Sequence, residues 1–394
     1  MIGISKLYMG QVEVSDPLRY GRKSGKLPSH LLQFSEDKKP VVVWNVTSAC
    51  NLKCTHCYAA TEGRPDELST DEAMTVIDDL AAFGCPVLLF SGGEPFVRPD
   101  ILTLAGYAVS KGLRVVFSTN GTLINEETAA QIKQIGASYA GISIDGMEEV
   151  HDRFRRCKGA FQRSLAAIRY CREADVKVGL RVTMTKDNVG EIPAVFDLME
   201  AENIPRICLY HLVYSGRGAE IAEHDLDPEL RRATIDLIID RTKRLHEKGL
   251  PVEVLTVDNH CDGPYLYMRM LREGSPRADE VMELLRMNGG NSTGHGLACI
   301  SWDGTVYPDQ FWRDKPVGNV REKPFSRIWS QPDEGSLLFQ LREKKRHVTG
   351  KCAECRFLDV CGGNFRARAE AVTGDVWGVD PACYLTDEEI GLQV

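Results

Sequence analysis

The sequence predicts an α/β protein built on a parallel β-sheet with helices packed outside it. Two observations lead to this prediction. Six short, apolar, strand-like runs alternate with helical patterns between residues 41 and 215, and polar or glycine-containing segments follow several of the runs. Six β-α units in series favour parallel strand pairing. Periodicity alone leaves a curved, incompletely closed (β/α)6 barrel and a flat doubly wound sheet equally open.

The elements follow one another in a regular order. The strand-like runs cover residues 41–46, 86–90, 114–118, 139–144, 177–184 and 206–212. Helical patterns cover residues 70–83, 99–111, 126–135, 160–174 and 191–202. A chain of 394 residues is too long for one ordinary core. We expect an N-terminal extension (1–40), the α/β unit (41–215), a helical linker and loop (216–298) and a C-terminal unit (299–394). Within the linker, the pattern at 227–248 predicts one long helix, and residues 259–296 are expected to be irregular, either as a flexible loop or as a cover over a site.

Composition excludes several classes of protein. The net charge of −8 makes non-specific binding to nucleic acid unexpected. No apolar run approaches the roughly 18–20 residues that a membrane span needs. The N-terminus shows no apolar stretch or cleavage site typical of a secretion signal. Thirteen cysteines without such a signal predict metal sites in a reducing, cytoplasmic compartment rather than disulfides.

Three cysteines follow the first strand at C-x3-C-x2-C spacing: Cys50, Cys54 and Cys57. Three thiolates on one short loop can bind three irons of a [4Fe–4S] cluster and leave the fourth iron open for a non-protein ligand. An open metal position is typical of a catalytic site. A structural zinc knuckle is the alternative, but no fourth cysteine lies nearby.

A glycine-rich turn follows the second strand and contains Gly92, Gly93, Glu94 and Pro95. Glycines let a backbone approach a ligand closely, and a glutamate can pair with an ammonium group. The cysteine motif, with the aromatic His56 before its last cysteine, and this Gly-Gly-Glu-Pro turn together resemble the radical S-adenosylmethionine (SAM) enzymes. The resemblance covers residues 40–215 and implies a partial (β/α)6 barrel. It also implies that the turn binds the methionine amino group of SAM.

Further SAM contacts are expected at the carboxyl ends of later strands, where the chemistry of such folds gathers. By resemblance these are Ser118 and Asn120 after the third strand, and Ser143 and Asp145 after the fourth. Short polar residues in such places are otherwise turn formers. Arg181 lies in an apolar strand and resembles the residue that pairs with the SAM carboxylate. Leu212, with Val213, is a candidate for packing on the adenine, with a core position as the alternative.

The last hundred residues contain a second cysteine constellation: Cys352, Cys355, Cys361 and Cys383. It resembles the SPASM extension of radical SAM enzymes, which usually carries two auxiliary clusters. Here Asp309 and Phe365 occupy two positions where that family has cysteines. The simplest count is one auxiliary [4Fe–4S] cluster, with structural zinc as the alternative. Cys299 could replace Cys383 as the fourth ligand.

Four segments (4–8, 18–22, 27–34 and 307–312) resemble the tetrapyrrole-modifying branch of this superfamily, and most closely the AhbC-type didecarboxysirohaem deacetylases. The resemblance implies radical removal of two acetate side chains from an iron tetrapyrrole, leaving iron coproporphyrin. It also implies an electron donor of flavodoxin or ferredoxin type. Cations available for the substrate carboxylates are Arg19, Arg22, Lys23, Arg153, Arg155, Arg313 and Arg366, and His30 and His295 are candidate iron ligands.

Other functions remain open at this point. NirJ-like removal of propionate and AhbD-type haem formation share every motif above. A SPASM enzyme that modifies a peptide is a rival, although the short N-terminal extension leaves no room for the peptide-binding module that many of these carry. A non-catalytic iron–sulfur electron carrier is a third possibility, but a carrier needs no SAM-binding turn.

Overall fold

The structure is a computed structural model, and it describes residues 1–11, 39–59 and 66–392. Most of the expected N-terminal extension therefore lies outside the described residues. The same holds for four residues that were predicted to contact the substrate: Arg19, Arg22, Lys23 and His30.

One mixed sheet of eleven strands runs through the described residues, in the order β1-β8-β7-β6-β5-β4-β3-β2-β9-β10-β11. The strands are β1 (Ile2–Gly3), β2 (Val41–Asn45), β3 (Val87–Ser91), β4 (Arg114–Thr119), β5 (Tyr139–Ser143), β6 (Val178–Met184), β7 (Arg206–His211), β8 (Glu253–Val257), β9 (Leu297–Ile300), β10 (Thr305–Tyr307) and β11 (Gly318–Asn319). All six predicted strands are confirmed as β2 to β7, and each is parallel to the next.

The parallel sheet extends beyond the predicted unit on both sides. β8 pairs in parallel with β7, and β9 pairs in parallel with β2, where Val43 lies opposite Cys299. β8 is five residues long and follows a long helix, so it was read as part of a linker. The C-terminal hairpin formed by β9 and β10 thus continues the same sheet that carries the first cysteine loop.

Helices connect the strands. They are α1 (Ile4–Met9), α2 (Thr70–Phe83), α3 (Ile101–Ser110), α4 (Glu126–Gln134), α5 (Glu148–Arg155), α6 (Ala160–Glu173), α7 (Ile192–Ala201), α8 (Arg217–Glu220), α9 (Pro228–Glu247), α10 (Asp262–Arg272), α11 (Ala278–Asn288), α12 (Phe325–Ser330), α13 (Leu337–Arg342), α14 (Leu358–Cys361), α15 (Arg366–Thr373) and α16 (Asp387–Ile390). Five of the predicted helices are confirmed, as is the long helix α9.

The segment 259–296 was expected to be irregular, and that expectation is wrong. It contains α10 and α11, whose apolar residues pack into the main core. Glycine and proline at the start of α10 and the glycines after α11 obscured the helical pattern. Helix α5, which was also not predicted, is short and strongly charged. None of the helices in the described part of the chain is long and apolar enough to cross a membrane.

The two faces of the sheet have different side chains, because successive residues of a strand point to opposite faces. One face packs against the helices and is apolar. In it the Trp44 and Phe90 rings, and the Phe90 and Phe117 rings, lie with centroids 5.9 Å apart. The strand register places a different set on the other face, which we call the polar face: Asn45, Ser91, Ser118, Ser143 and Arg181.

Candidate functional site

The first cysteine loop follows β2 and is anchored by backbone hydrogen bonds. The Thr55 amide donates to the Phe154 carbonyl at the end of α5, and the Arg217 amide donates to the Cys57 carbonyl, both at 3.0 Å. Cys50 is exposed, Cys54 is buried and Cys57 is half-buried. The loop therefore presents its three thiols at different depths at the carboxyl end of the parallel strands.

The Gly92–Gly93 turn packs directly on this loop. The amides of Gly93 and Glu94 donate to the carbonyls of Thr47 and Ala49, each at 2.9 Å. A Cβ atom on Gly93 would lie 2.1 Å from the Ala49 carbonyl oxygen, and one on Gly92 would lie 2.5 Å from that of Thr47. Gly92 also has a positive φ of 129°. Both positions require glycine because two backbones meet there.

Glu94 links this turn to the end of β4. Its carboxylate accepts hydrogen bonds from the Thr119 hydroxyl at 2.6 Å and from the Asn120 amide at 2.8 Å. Burial raises the pKa of Glu94 to about 7. A ligand ammonium placed beside the carboxyl would favour its charged form again.

Of the polar residues that were predicted to contact SAM at these strand ends, Asn120 contacts the first loop. The Asn120 side chain donates to the Asn51 side chain at 2.9 Å, and so connects β4 to the cysteine loop. Ser118 and Ser143 are half-buried on the polar face, and the Ser143 hydroxyl donates to the Thr119 carbonyl. Their contact with SAM stays a prediction.

Arg181 crosses the polar face next to Gly141, where an added Cβ would lie 2.8 Å from the Arg181 Cδ. Its guanidinium lies 4.6 Å from the centre of the Tyr210 ring. Among the described residues no carboxylate forms an ion pair with it, which leaves its charge available to an anionic ligand.

Two predicted SAM contacts, Asp145 and Leu212, are buried and have partners within the protein. Asp145 is fully buried, accepts a hydrogen bond from the Thr183 amide at 3.0 Å and forms an ion pair with Arg155. Leu212 is 1% exposed in the core, and its carbonyl accepts a hydrogen bond from Arg368. Glu94 is buried to the same extent, so the contact of Asp145 and Leu212 with SAM stays a prediction.

His56 stacks on Phe154 with ring centres 4.5 Å apart. Burial lowers the pKa of His56 to about 4, so the ring is neutral at physiological pH. The His56 side chain thus contributes a neutral aromatic ring between two cysteines of the loop.

The second constellation collects in the C-terminal segment. Burial raises the pKa of the Cys361 thiol, and negative charge on the nearby Cys383, Cys352 and Cys355 raises it further. Cys299 lies elsewhere, on β9, where its sulfur accepts a hydrogen bond from the Asn45 side chain at 3.6 Å. The structure thus groups Cys383, and not Cys299, with the C-x2-C-x5-C motif.

Asp309 and Phe365, which stand where the SPASM family has cysteines, have clear structural roles. Asp309 is buried and accepts hydrogen bonds from the Thr293 hydroxyl and the Phe311 amide, both at 2.8 Å. Phe365 is buried and packs against Phe311, with ring centres 5.5 Å apart. Neither residue supplies a thiolate at these positions.

A zinc ion and a [4Fe–4S] cluster space their thiolate ligands differently. Over the described ranges, no three Cys, His, Asp or Glu side chains converge closely enough to hold one metal ion. Zinc needs four ligands at about 2.0–2.3 Å from one point. A [4Fe–4S] cluster binds each thiolate to a different iron and keeps the sulfurs apart.

The fourth ligand can be tested by iron content. We expect the Cys383→Ser protein to lose the auxiliary cluster, lowering the iron content from about eight to about four per chain. The Cys299→Ser protein should retain about eight irons per chain, because its thiol lies by Asn45. Iron and sulfide assays after anaerobic reconstitution check this. The reverse pattern would contradict the assignment of Cys383.

The predicted substrate cations are not a uniform set. Arg155 and Arg366 are buried, and Arg366 donates to backbone carbonyls, including that of Gly378. Arg153 is exposed beside Glu149, and Arg313 lies over the Trp302 ring at 4.1 Å. His295 is exposed before β9, at the amino end of the parallel strands and therefore opposite the cysteine loop.

Sequence reasoning missed two residues near the cysteines, Cys261 and Arg368, and gave a third, Arg155, a different role. Arg155 donates to the Cys54 sulfur. Cys261 donates to the Asn259 side chain at 2.9 Å and lies near Cys383. Arg368 joins two strand ends to the C-terminal segment. Cys261 has no ligand spacing, and the two arginines looked like surface residues. No signal in the sequence could have identified them.

Comparisons with known proteins agree with this geometry. The radical SAM superfamily matches residues 44–199, and the SPASM iron–sulfur cluster-binding domain matches residues 293–356. The chain is 60% identical to an Fe-coproporphyrin III synthase of Methanosarcina barkeri, over 99% of both proteins. It is 40% identical to a pre-heme d1 synthase of Dinoroseobacter shibae, over 90% of this chain and 88% of that protein. An AdoMet-dependent heme synthase of M. barkeri is 35% identical, over 87% of this chain and 95% of that protein.

Solved structures share the fold. The enzyme anSMEcpe with bound AdoMet aligns with a TM-score of 0.67 at 18% identity, over 87% of this chain and 93% of that one. SuiB of Streptococcus suis, bound to its precursor peptide, aligns with a TM-score of 0.70 at 18% identity, over 90% of this chain and 76% of that one. The fold is therefore the partial (β/α)6 barrel with an iron–sulfur domain. The two domain matches imply a [4Fe–4S] cluster with SAM and an auxiliary iron–sulfur cluster. The chain belongs to the radical SAM superfamily, in the SPASM-containing group that includes these haem-biosynthesis enzymes.

Proposed function

We propose that this chain is a radical SAM enzyme of haem biosynthesis that removes two acetate side chains from didecarboxysirohaem and forms Fe-coproporphyrin III. The observation that carries the proposal is 60% identity to an Fe-coproporphyrin III synthase over 99% of each protein. The alignment with this relative spans both cysteine constellations and the elements that position them.

The described residues have distinct roles in this proposal. Cys50, Cys54 and Cys57 hold the first cluster, and the polar residues around them bind SAM. When bound and reduced by one electron, the cluster would cleave SAM to methionine and a 5′-deoxyadenosyl radical. The backbone at Gly92 and Gly93 and the Glu94 carboxyl receive the methionine ammonium.

The carboxyl ends of the strands give the rest of the SAM site. Ser118, Asn120 and Ser143 offer hydrogen bonds to the nucleoside, and Arg181 pairs with the SAM carboxylate. Arg181 is suited to this because no acid in the described chain forms an ion pair with it, while the Tyr210 ring restricts where its guanidinium lies. Holding SAM rigidly keeps the radical near the substrate hydrogen and away from water.

The C-terminal segment holds the auxiliary cluster through Cys352, Cys355, Cys361 and Cys383. Four thiolates close its coordination, which suits electron transfer better than substrate binding. The reductant of the first cluster is a one-electron carrier of flavodoxin or ferredoxin type, because the reaction consumes single electrons at low potential.

Product analysis tests the function. Anaerobically reconstituted, reduced protein is incubated with SAM and didecarboxysirohaem, and the pigment spectrum, its mass and 5′-deoxyadenosine are followed. We expect loss of two acetate units together with 5′-deoxyadenosine. The Cys54→Ser protein, which lacks a ligand of the first cluster, is the control and should form neither.

A second candidate is the pre-heme d1 synthase reaction, supported by 40% identity over 90% of the chain. It would give loss of propionate rather than acetate units in the same assay. Formation of 5′-deoxyadenosine with an unchanged tetrapyrrole would contradict both candidates and direct attention to other substrates, such as peptides.

A further inference from the structure

Arg155 is a buried cation in direct contact with a cysteine of the first loop. Its Nη1 donates to the Cys54 sulfur at 3.4 Å. The arginine side chain is 8% exposed, and Cys54 is 7% exposed. Water therefore screens the interaction between guanidinium and sulfur only weakly.

The surrounding structure holds this guanidinium in one place. Arg155 ends α5, whose Phe154 carbonyl accepts hydrogen bonds from both the amide and the hydroxyl of Thr55. The end of the helix is thus joined to the cysteine loop. Displacement of this helix end from the cysteine loop would break these contacts.

Asp145 is the partner of Arg155 and is itself fixed. It forms the ion pair through one carboxylate oxygen, and the other accepts the Thr183 amide at 3.0 Å. Its backbone carbonyl accepts from the Asn188 side chain at 2.9 Å, and its amide donates to His151 Nδ1 at 3.1 Å. Asp145 therefore orients the guanidinium and opposes its charge.

We propose that Arg155 sets the reduction potential of the first cluster through its contact with the Cys54 sulfur, and that Asp145 is the positioning residue that moderates this effect. Reduction adds negative charge to the cluster. A hydrogen bond and a positive charge at a ligating sulfur stabilise the reduced form. The proposal rests on the first-cluster assignment within the proposed function and is independent of the tetrapyrrole substrate.

Replacing the two members of the ion pair is expected to shift the reduction potential of the first cluster in opposite directions. Arg155→Gln removes the cation and should lower the potential. Asp145→Asn removes the opposing anion, leaves the cation uncompensated and should raise the potential. We expect the ratio of reduced to oxidised cluster at a fixed donor potential to change about tenfold in each direction, which is about 59 mV for one electron. Damage to the fold would not produce shifts of opposite sign.

The measurement is a redox titration followed by EPR, on the whole reconstituted protein without SAM or substrate. The auxiliary cluster in the same sample is the internal reference and should not shift. Arg153→Gln is the matched control, because Arg153 lies on the same helix but is 61% exposed beside Glu149. Arg155→Lys keeps the charge and should stay close to the unaltered protein, even if Arg155→Gln binds iron poorly.

Two results would overturn the proposal. One is a shift of the same sign in the Arg155→Gln and Asp145→Asn proteins, or a change below twofold in both. The other is an unchanged potential in Asp145→Asn together with SAM affinity weakened more than tenfold, which would return Asp145 to a SAM-binding role. Because no tetrapyrrole is present, failure here is distinguishable from failure of the proposed deacetylation.

Discussion

Replacing Gly93 with alanine is expected to lower 5′-deoxyadenosine formation by about a hundredfold or more, the cost of displacing a catalytic group by about 1 Å. The added Cβ would lie 2.1 Å from the Ala49 oxygen and 2.6 Å from its carbonyl carbon, so one backbone has to move. Movement breaks the bonds from the Gly93 and Glu94 amides to the cysteine loop. The turn and the cysteine loop are then no longer held in a fixed relative position.

Gly190→Ala is the matched control for this change. Gly190 lies in a short helical turn, has no positive φ, and an added Cβ there has no neighbour within 4 Å. The control should retain activity within about twofold, because alanine restricts the unfolded chain without straining the folded one. Rates are measured with saturating SAM and dithionite, and iron content is checked in each preparation. Equal activity in both variants would show that the close approach at Gly93 has no catalytic importance.

The sequence was sufficient to predict the parallel sheet and the position of its chemistry. Strand and helix patterns are local, and each of β2 to β7 was recognisable from a few consecutive residues. The cysteine spacing and the Gly92–Gly93 turn are local too. Parallel strands bring their carboxyl ends together, so the meeting of Glu94 with Thr119 and Asn120 followed from topology.

The contacts that the sequence did not reveal join distant residues. Arg155 and Cys54 are separated by 101 positions, and Arg368 and Asp258 by 110. Composition rules place arginine at the surface unless it is paired, and pairing depends on tertiary structure. Asp145 was predicted to contact SAM because it follows a strand end, but its ion pair with Arg155 depends on tertiary structure that the sequence does not reveal.

Replacing Arg368 with methionine is expected to give the largest loss of stability. Its guanidinium donates to the carbonyls of Leu212 at 2.9 Å and Asp258 at 2.8 Å, which follow β7 and β8. It also forms two hydrogen bonds to Asp380, and both side chains are fully buried. Burial by itself would raise the pKa of the Asp380 carboxyl. Arg368 and backbone amides outweigh this and lower the pKa below its usual value.

Methionine has a similar volume but leaves Asp380 as an uncompensated buried charge, which costs about 3–5 kcal/mol. The melting temperature of the reconstituted protein should therefore fall by roughly 5–15 °C. Cys383 should bind its cluster less firmly, because it lies three residues after Asp380.

Arg346→Ala is the control: its side chain is 76% exposed beside Glu343, and its removal should change the melting temperature by no more than about 2 °C. Similar small shifts for both variants would mean that the buried pair does not join the C-terminal segment to the strand ends. A large shift for Arg368→Met alone, with iron lost from the auxiliary cluster, would show that one arginine couples the barrel to that cluster.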